Sequence, residues 1–491
     1  MEGLPFGPGA LSFFGAYLVA MMVLGAVARR KRRSESLDDF YLAGKRLGGF
    51  VLLLTLYATQ YSGNTLLGYP GEAYRLGFAW VMSVGFMTAI VVVYLVFAPR
   101  LHRLAKAHGF VTPGDWLDHR FRTPLLTHLV NLLIVVAVAN LLLAQLMAMG
   151  HVVAGLSGHA VPYWFGVVFL ASIVIIYETL GGMRAVAWTD CVQGLMLLLG
   201  LGGLLLAAVP DLGTLGDITD WVVRNQPEKA AVPTWSVIRT WISTVLLVGF
   251  SGAVYPQAIQ RIYAARDQRA LKRSLSIMVF MPFVSTLVVF VIGIVGIRHF
   301  AGLDGVTADR VLPLLLQEWA GRSTLLYGLV VLVVTGTVAA IMSTADSVLL
   351  SLSSILAKDV LGKTVLSGQP ERVVTQAGKV LSWGIMALLV SVALVPRLTL
   401  WGLTELKMEL LSQVAPAMIL GLIWPKLTAR AALAGLVAGT LVSVGLTLLG
   451  TGKIWGFHVG LLGLAVNVAI CIGVSITVPG GSPKRLHFQP E

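Results

Sequence analysis

VLLLTLYATQYSGNTLLGYPGEAY, residues 51–74, is apolar enough to lie in a membrane, yet it is interrupted at its centre. Thr59, Gln60, Ser62, Gly63 and Asn64 fall mid-run, and Gly68, Pro70 and Gly71 follow. Proline removes an amide donor and glycine loosens a helix. Freed backbone groups survive at membrane depth only where they face protein or a water-filled cavity. The stretch therefore predicts a helix broken near the midplane whose break looks into the molecule.

The rest of the chain supports a membrane setting. Of its 491 residues, 57% are hydrophobic and only 12% charged, and the mean hydropathy is +0.84. Soluble domains carry about 25% charged residues, so the class is a polytopic membrane protein. Thirteen apolar segments can be marked and are numbered here as helices 1–13: 9–28, 48–70, 78–98, 124–149, 164–182, 189–209, 237–258, 275–299, 323–355, 379–395, 402–424, 431–449 and 459–478. Most approach the ~20 residues that cross a bilayer. The start, MEGLPFGPGA, has neither a basic run nor a small-residue cleavage site, so helix 1 is expected to remain as a membrane helix. Cys191 and Cys471 both lie in apolar segments without metal spacing and read as core residues.

The net charge of +13 would suggest a nucleic-acid partner until the charges are placed. With the N-terminus outside and the C-terminus cytoplasmic, the cytoplasmic connections hold 26 of the 36 Lys and Arg, among them RRKRR (29–33) and Arg261 in the run AIQRIYAARDQRALKRS (258–274). That bias is the positive-inside pattern. Topology thus accounts for the basic charge, and no nucleic acid or obligate protein partner is implied. That basic run and PGDWLDHRF (113–121) read as amphipathic interfacial helices or as solvated basic faces.

Helix 7 repeats the interruption: VLLVGFSGAVYPQAIQR, residues 245–261, carries Gly249, Ser251, Gly252 and Pro256. Taken singly, such residues serve equally for packing and kinks. Two interrupted helices five segments apart enter the membrane from opposite sides, the signature of inverted repeats with a midplane binding site. The expected architecture is all-α, a single integral domain over 1–491. One repeat spans 48–209 and the other 237–424, with 9–28 and 431–478 peripheral.

AAIMSTADSVLLS, residues 339–351 in helix 9, places four oxygen-bearing side chains in a run that has no Lys or Arg between Arg322 and Lys358. At about 100° per residue, Ser343, Thr344, Asp346 and Ser347 share one face of about 160°. Small hydroxyl residues alone fit a packing stripe. A carboxylate does not, since it costs roughly 2.5–3.5 kcal/mol at a bilayer centre. Hydroxyls with backbone carbonyls make an oxygen cage for a hard cation, and one with few carboxylates suits Na⁺ better than Ca²⁺.

These residues resemble a known family. AAIMSTADSVLLSLSSILAKDV (339–360) is similar to the ion-site helix of the sodium/solute symporter family, which has the LeuT-type fold. LDDFYLAGKRLGG (37–49), YSGNTLLGYPGEAYRLGFAW (61–80), GGMRAVAWTDCVQG (181–194) and YPQAIQRIYAARD (255–267) resemble other parts of it. The resemblance implies a main sodium site made by the carbonyls of Ala58, Tyr61 and Ala340 and the hydroxyls of Ser343 and Thr344. It also implies that Asp190 with Asp346 and Ser347 could hold a second cation in this chain, as in some members; alternatively, Asp190 is a first-turn acid after a Thr189 N-cap. Proline symporters of the family carry an aspartate where this chain has Gln60, and the sequence leans to the pantothenate and monocarboxylate branch.

Candidate substrate ligands at the interruptions are Gln60, Ser62, Asn64, Asn140, Gln145, Phe250, Ser251 and Tyr255. Glu405, Lys407 and Glu409 read as a gate or as an interfacial salt-bridge cluster. The expected function is Na⁺-coupled import of a small polar organic solute, an amino acid or a pantothenate-like monocarboxylate, by alternating access across the plasma (inner) membrane. A solute sensor on the same fold is the alternative. An enzyme is not expected, because the nine His form no metal spacing.

Overall fold

A computed structural model describes residues 7–157, 161–303, 305–395 and 400–477. All thirteen apolar segments are helical. Among the described residues twelve spans are long and apolar enough to cross a membrane, because the break in helix 2 leaves a short first half, Gly49–Gln60, and joins the remainder to helix 3 as Thr65–His108. The only strands among the described residues, Lys453–Ile454 and Phe457–His458, pair antiparallel before helix 13.

Helix 2 runs from Gly49 to Gln60, opens, and resumes as Gly63–Leu76. Tyr61 still donates its amide to Tyr57, but Tyr61 and Ser62 are extended. Ser62 donates its amide to Thr65 Oγ1 at 3.4 Å instead of closing on Ala58, so the Ala58 carbonyl is left without its in-helix partner. Gly63 makes the break possible in this space: a Cβ there would sit 2.5 Å from Ile341 Cγ1 of helix 9 and 3.5 Å from Ala148 Cβ of helix 4. Gly63→Ala should therefore destabilise the purified protein by about 1–3 kcal/mol through overpacking, read as a lowered midpoint in thermal unfolding.

Helix 7 runs from Trp235 to Ala253, turns through Val254 and Tyr255, and restarts at Pro256, whose missing amide and fixed φ suit a first helical position. The new half, Pro256–Ala264, is buried at all nine residues. This corrects the reading of 258–274 as one basic surface run. The chain turns inward at Pro256 and surfaces only after Ala264, where Asp267 caps the amphipathic helix Gln268–Met278 through a 2.7 Å bond from the Ala270 amide. Arg261 consequently belongs to the interior rather than to a cytoplasmic loop. PGDWLDHRF forms a separate short helix, Pro113–Phe121.

Helix 6 starts at Met183, straight after Gly182 at φ +57°, and not near residue 189. Asp190 is thus well past the first turn. Thr189 Oγ1 donates to the Ala185 and Val186 carbonyls at 3.1 and 3.0 Å, so it is no N-cap. Helix 9, Thr324–Ser354, is buried on every side from Val333 to Ser354. Helix 6 presses onto it where a Cβ on Gly336 would lie 2.9 Å from the Met196 carbonyl. Backbones that approach this closely bring short side chains on the two helices within hydrogen-bond reach.

Candidate functional site

Asp190 is the hub of that contact. Its Oδ1 accepts the Ser343 hydroxyl of helix 9 at 2.5 Å, and its Oδ2 accepts the Thr55 hydroxyl of helix 2. The guanidinium of Arg261 joins them from the second half of helix 7. Its Nη2 lies 2.7 Å from Asp190 Oδ2 and 2.5 Å from Ser347 Oγ, its Nε lies 2.7 Å from Thr55 Oγ1, and its Nη1 donates to the Gln257 carbonyl at 2.9 Å. Both charged side chains are 0% exposed. Helices 2, 6, 7 and 9 are therefore tied by one fully buried ion pair in which Arg261 makes four hydrogen bonds. Such a pair holds only because these hydrogen bonds accompany it.

The expected site residues divide around this hub. Ser343 and Thr344 are fully buried on helix 9, and Thr344 Oγ1 donates to the Ala340 carbonyl at 3.1 Å. Oxygens about 2.4 Å from a hard cation lie about 3–3.5 Å apart, so this spacing suits shared coordination. The carbonyl released by the break is that of Ala58, and the neighbouring Thr59 places Oγ1 3.4 Å from Ser347 Oγ of helix 9. Asp346 joins this network through Ser347, whose hydroxyl its Oδ1 accepts at 3.1 Å, while its Oδ2 accepts Tyr177 of helix 5 at 2.5 Å. Between Asp190 and Ser347, two of the three residues expected for a second cation, stands the Arg261 guanidinium, which the sequence reading left on the surface. Among the described residues no group of three or more His, Cys, Asp or Glu could hold a metal ion.

Of the substrate candidates, Gln60 and Ser62 lie at the helix 2 break and Phe250, Ser251 and Tyr255 at the helix 7 break. Gln145 Oε1 accepts the Gly63 amide at 3.3 Å, so helix 4 caps the reopened helix 2. Gln145→Leu should leave that buried donor unsatisfied and cost about 1–3 kcal/mol, measurable as lost thermal stability without a change in sodium preference. Ser251 Oγ is occupied by its own helix, 3.4 Å from the Val248 carbonyl. Tyr255 is buried at the helix 7 break, while Gln60, Ser62 and Phe250 are half-buried. Asn140 has an interaction partner, and the side chain of Asn64 lies outside the described residues. The salt-bridge cluster expected in helix 11 is absent among the described residues: Glu409 instead accepts Thr447 of helix 12 at 3.0 Å, and Lys407 lies over the Tyr255 ring with Nζ 5.0 Å from its centroid.

The chain is similar to known proteins over nearly its whole length. The profile of the sodium:solute symporter family matches residues 40–439. The sodium/pantothenate symporter of Escherichia coli K12 is 28% identical over 458 residues, covering 90% of this chain and 91% of its own. The osmoregulated proline transporter of Bacillus subtilis is 24% identical over 484 residues and 97% of each chain. A Na⁺-coupled sialic acid symporter, solved with substrate in an outward-open state, superposes with a TM-score of 0.81 at 19% identity over 97% of this chain and 99% of its own. The match covers both broken helices, the Asp190 hub and helix 9, and the chain belongs to the sodium:solute symporter family, a multi-pass membrane transporter that couples movement of a small organic solute to Na⁺.

Proposed function

We propose that this symporter imports a small polar organic solute of the amino-acid or pantothenate-like monocarboxylate class, with the driving Na⁺ bound between helices 2 and 9. The ligands are the carbonyls of Ala58, Tyr61 and Ala340 and the hydroxyls of Ser343 and Thr344. The observation that carries this reading is the opening of helix 2 at Tyr61–Ser62, whose first half is joined through Asp190 to Ser343. A cation there binds both helices at once and so favours the conformation in which the broken helix lines the solute site. Binding of Na⁺ and of solute must then strengthen each other by the same factor.

Asp190 already has a full countercharge in Arg261. This supports one coupled Na⁺ and a sodium dependence with a Hill coefficient near unity, rather than a second ion shared by Asp190, Asp346 and Ser347. The lysine and arginine bias supports an N-terminus outside and a C-terminus in the cytoplasm of the plasma (inner) membrane. The test is uptake of labelled pantothenate, L-proline and lactate into proteoliposomes. Accumulation above equilibrium under an inward Na⁺ gradient, and none under K⁺, is expected. Sodium-dependent binding without accumulation would mean a sensor instead of a transporter.

A further inference from the structure

We propose that Lys407, which lies over the ring of Tyr255 at the helix 7 break, forms the seat for a negatively charged group of the cargo, so that the transported solute is an organic monoanion. This rests on the symport reading and narrows its substrate class.

Lys407 lies inside the membrane-spanning part of helix 11, Glu405–Ile423, and is 5% exposed. Burying an ammonium carries an effective penalty of several kcal/mol unless an anion pairs with it. Among the described residues no carboxylate comes within ion-pair distance of it. Glu405 and Glu409 are four residues apart and share a face, whereas Lys407 projects about 200° away from both. Glu409 is committed to Thr447 and packs against Gly460 of helix 13. On the side that faces the core, the acids are taken: Asp190 by Arg261 and Asp346 by Tyr177. The face of Tyr255 is the cation's remaining neighbour, and cation–π attraction alone offsets only part of the penalty.

Tyr255 is also the residue from which the half-helix begins. The amides of Ala258 and Ile259 both point back to its carbonyl at 3.0 Å. Those two amides are thus already paired within the half-helix, and the positive charge offered beside Tyr255 is that of Lys407. Gln257, two residues beyond Tyr255, is 0% exposed, and among the described residues neither its side-chain nitrogen nor its oxygen has a hydrogen-bond partner. A buried amide with both ends unsatisfied calls for an explanation. A solute with an anionic head supplies the countercharge that Lys407 lacks, and a polar body at the helix 7 break pairs the Gln257 amide. A zwitterion fits less well, because its ammonium would find the nearby acids already engaged.

The experiment uses the full-length protein. In Na⁺ without solute, Lys407→Met should melt at a higher temperature than the native protein, since it removes an uncompensated buried charge; a lower melting temperature would mean a structural lysine and overturn the proposal. Proteoliposomes under a Na⁺ gradient are then offered pantothenate against pantothenol, lactate against lactamide, and L-proline. Sodium-dependent uptake of carboxylates but not of their neutral partners is expected. Lys407→Met should weaken the apparent affinity for the carboxylate by at least about 30-fold while Lys407→Arg holds it within about threefold, the scale expected for losing one buried charge pair. Equal uptake of the neutral partners or of L-proline, or native affinity in Lys407→Met, would overturn the proposal and leave symport standing. No sodium-dependent uptake of any of them would remove both.

Discussion

Arg261→Met should abolish sodium-stimulated uptake and lower the stability of the folded protein by about 3–5 kcal/mol, the usual result of removing one partner from a buried ion pair. The variant leaves Asp190 charged and fully buried with only the Thr55 and Ser343 hydroxyls to hold it. It also unties the second half of helix 7 from helices 2, 6 and 9, which the guanidinium joins through bonds to Thr55, Asp190 and Ser347. Arg261→Lys should not rescue transport, because a point ammonium cannot serve three acceptors arranged around a planar fork. Adding Asp190→Asn to Arg261→Met removes the stranded charge. The double variant should therefore be less destabilised than the sum of the two single ones by about 1 kcal/mol or more. Thermal unfolding of the four proteins checks this, and additive losses would show that the pair is not a coupled unit.

Thr344→Ala should raise the sodium concentration for half-maximal uptake by about 10- to 100-fold, corresponding to the loss of roughly 1.5–3 kcal/mol from an interaction with a charged group. Thr344 is suited to this test because its hydroxyl makes a single local bond, to Ala340, and its removal strands no partner across the interface. Stability without sodium should change little. Ser343→Ala is less clean, since it also removes the hydrogen bond that the Ser343 hydroxyl donates to Asp190. Thr344→Ser keeps the oxygen and should stay near the native sodium dependence. Because the coupling is mutual, Thr344→Ala should also weaken solute binding in Na⁺ and leave the residual binding in K⁺ unchanged.

The breaks in helices 2 and 7 were legible because they are written locally, as polar residues, glycines and prolines inside otherwise apolar runs. The polar face of helix 9 was legible for the same reason: four residues at helical spacing declare their shared side. What local patterning cannot state is which distant group meets them. Tyr177 reaches Asp346 across 169 positions, and Gln145 caps Gly63 across 82. Arg261 is the sharpest case. Within AIQRIYAARDQRALKRS its charge looks like those of Arg266, Arg269, Lys272 and Arg273, but the restart at Pro256 turns residues 256–264 into the core and leaves the later ones near the surface. The opposite neighbour relation hid Lys407, since residues adjacent in sequence to two glutamates suggest a cluster. Helix geometry instead places the lysine against Tyr255 and Glu409 against Thr447.

The central claim is that sodium sits where the opened helix 2 meets helix 9. Equilibrium binding of radiolabelled sodium to the purified protein, with no solute present, addresses it directly. The native protein should bind the label saturably, with displacement by Na⁺ and not by K⁺, and Thr344→Ala should lose at least about tenfold in affinity while remaining folded. Undiminished sodium binding by folded Thr344→Ala would contradict this placement of the ion.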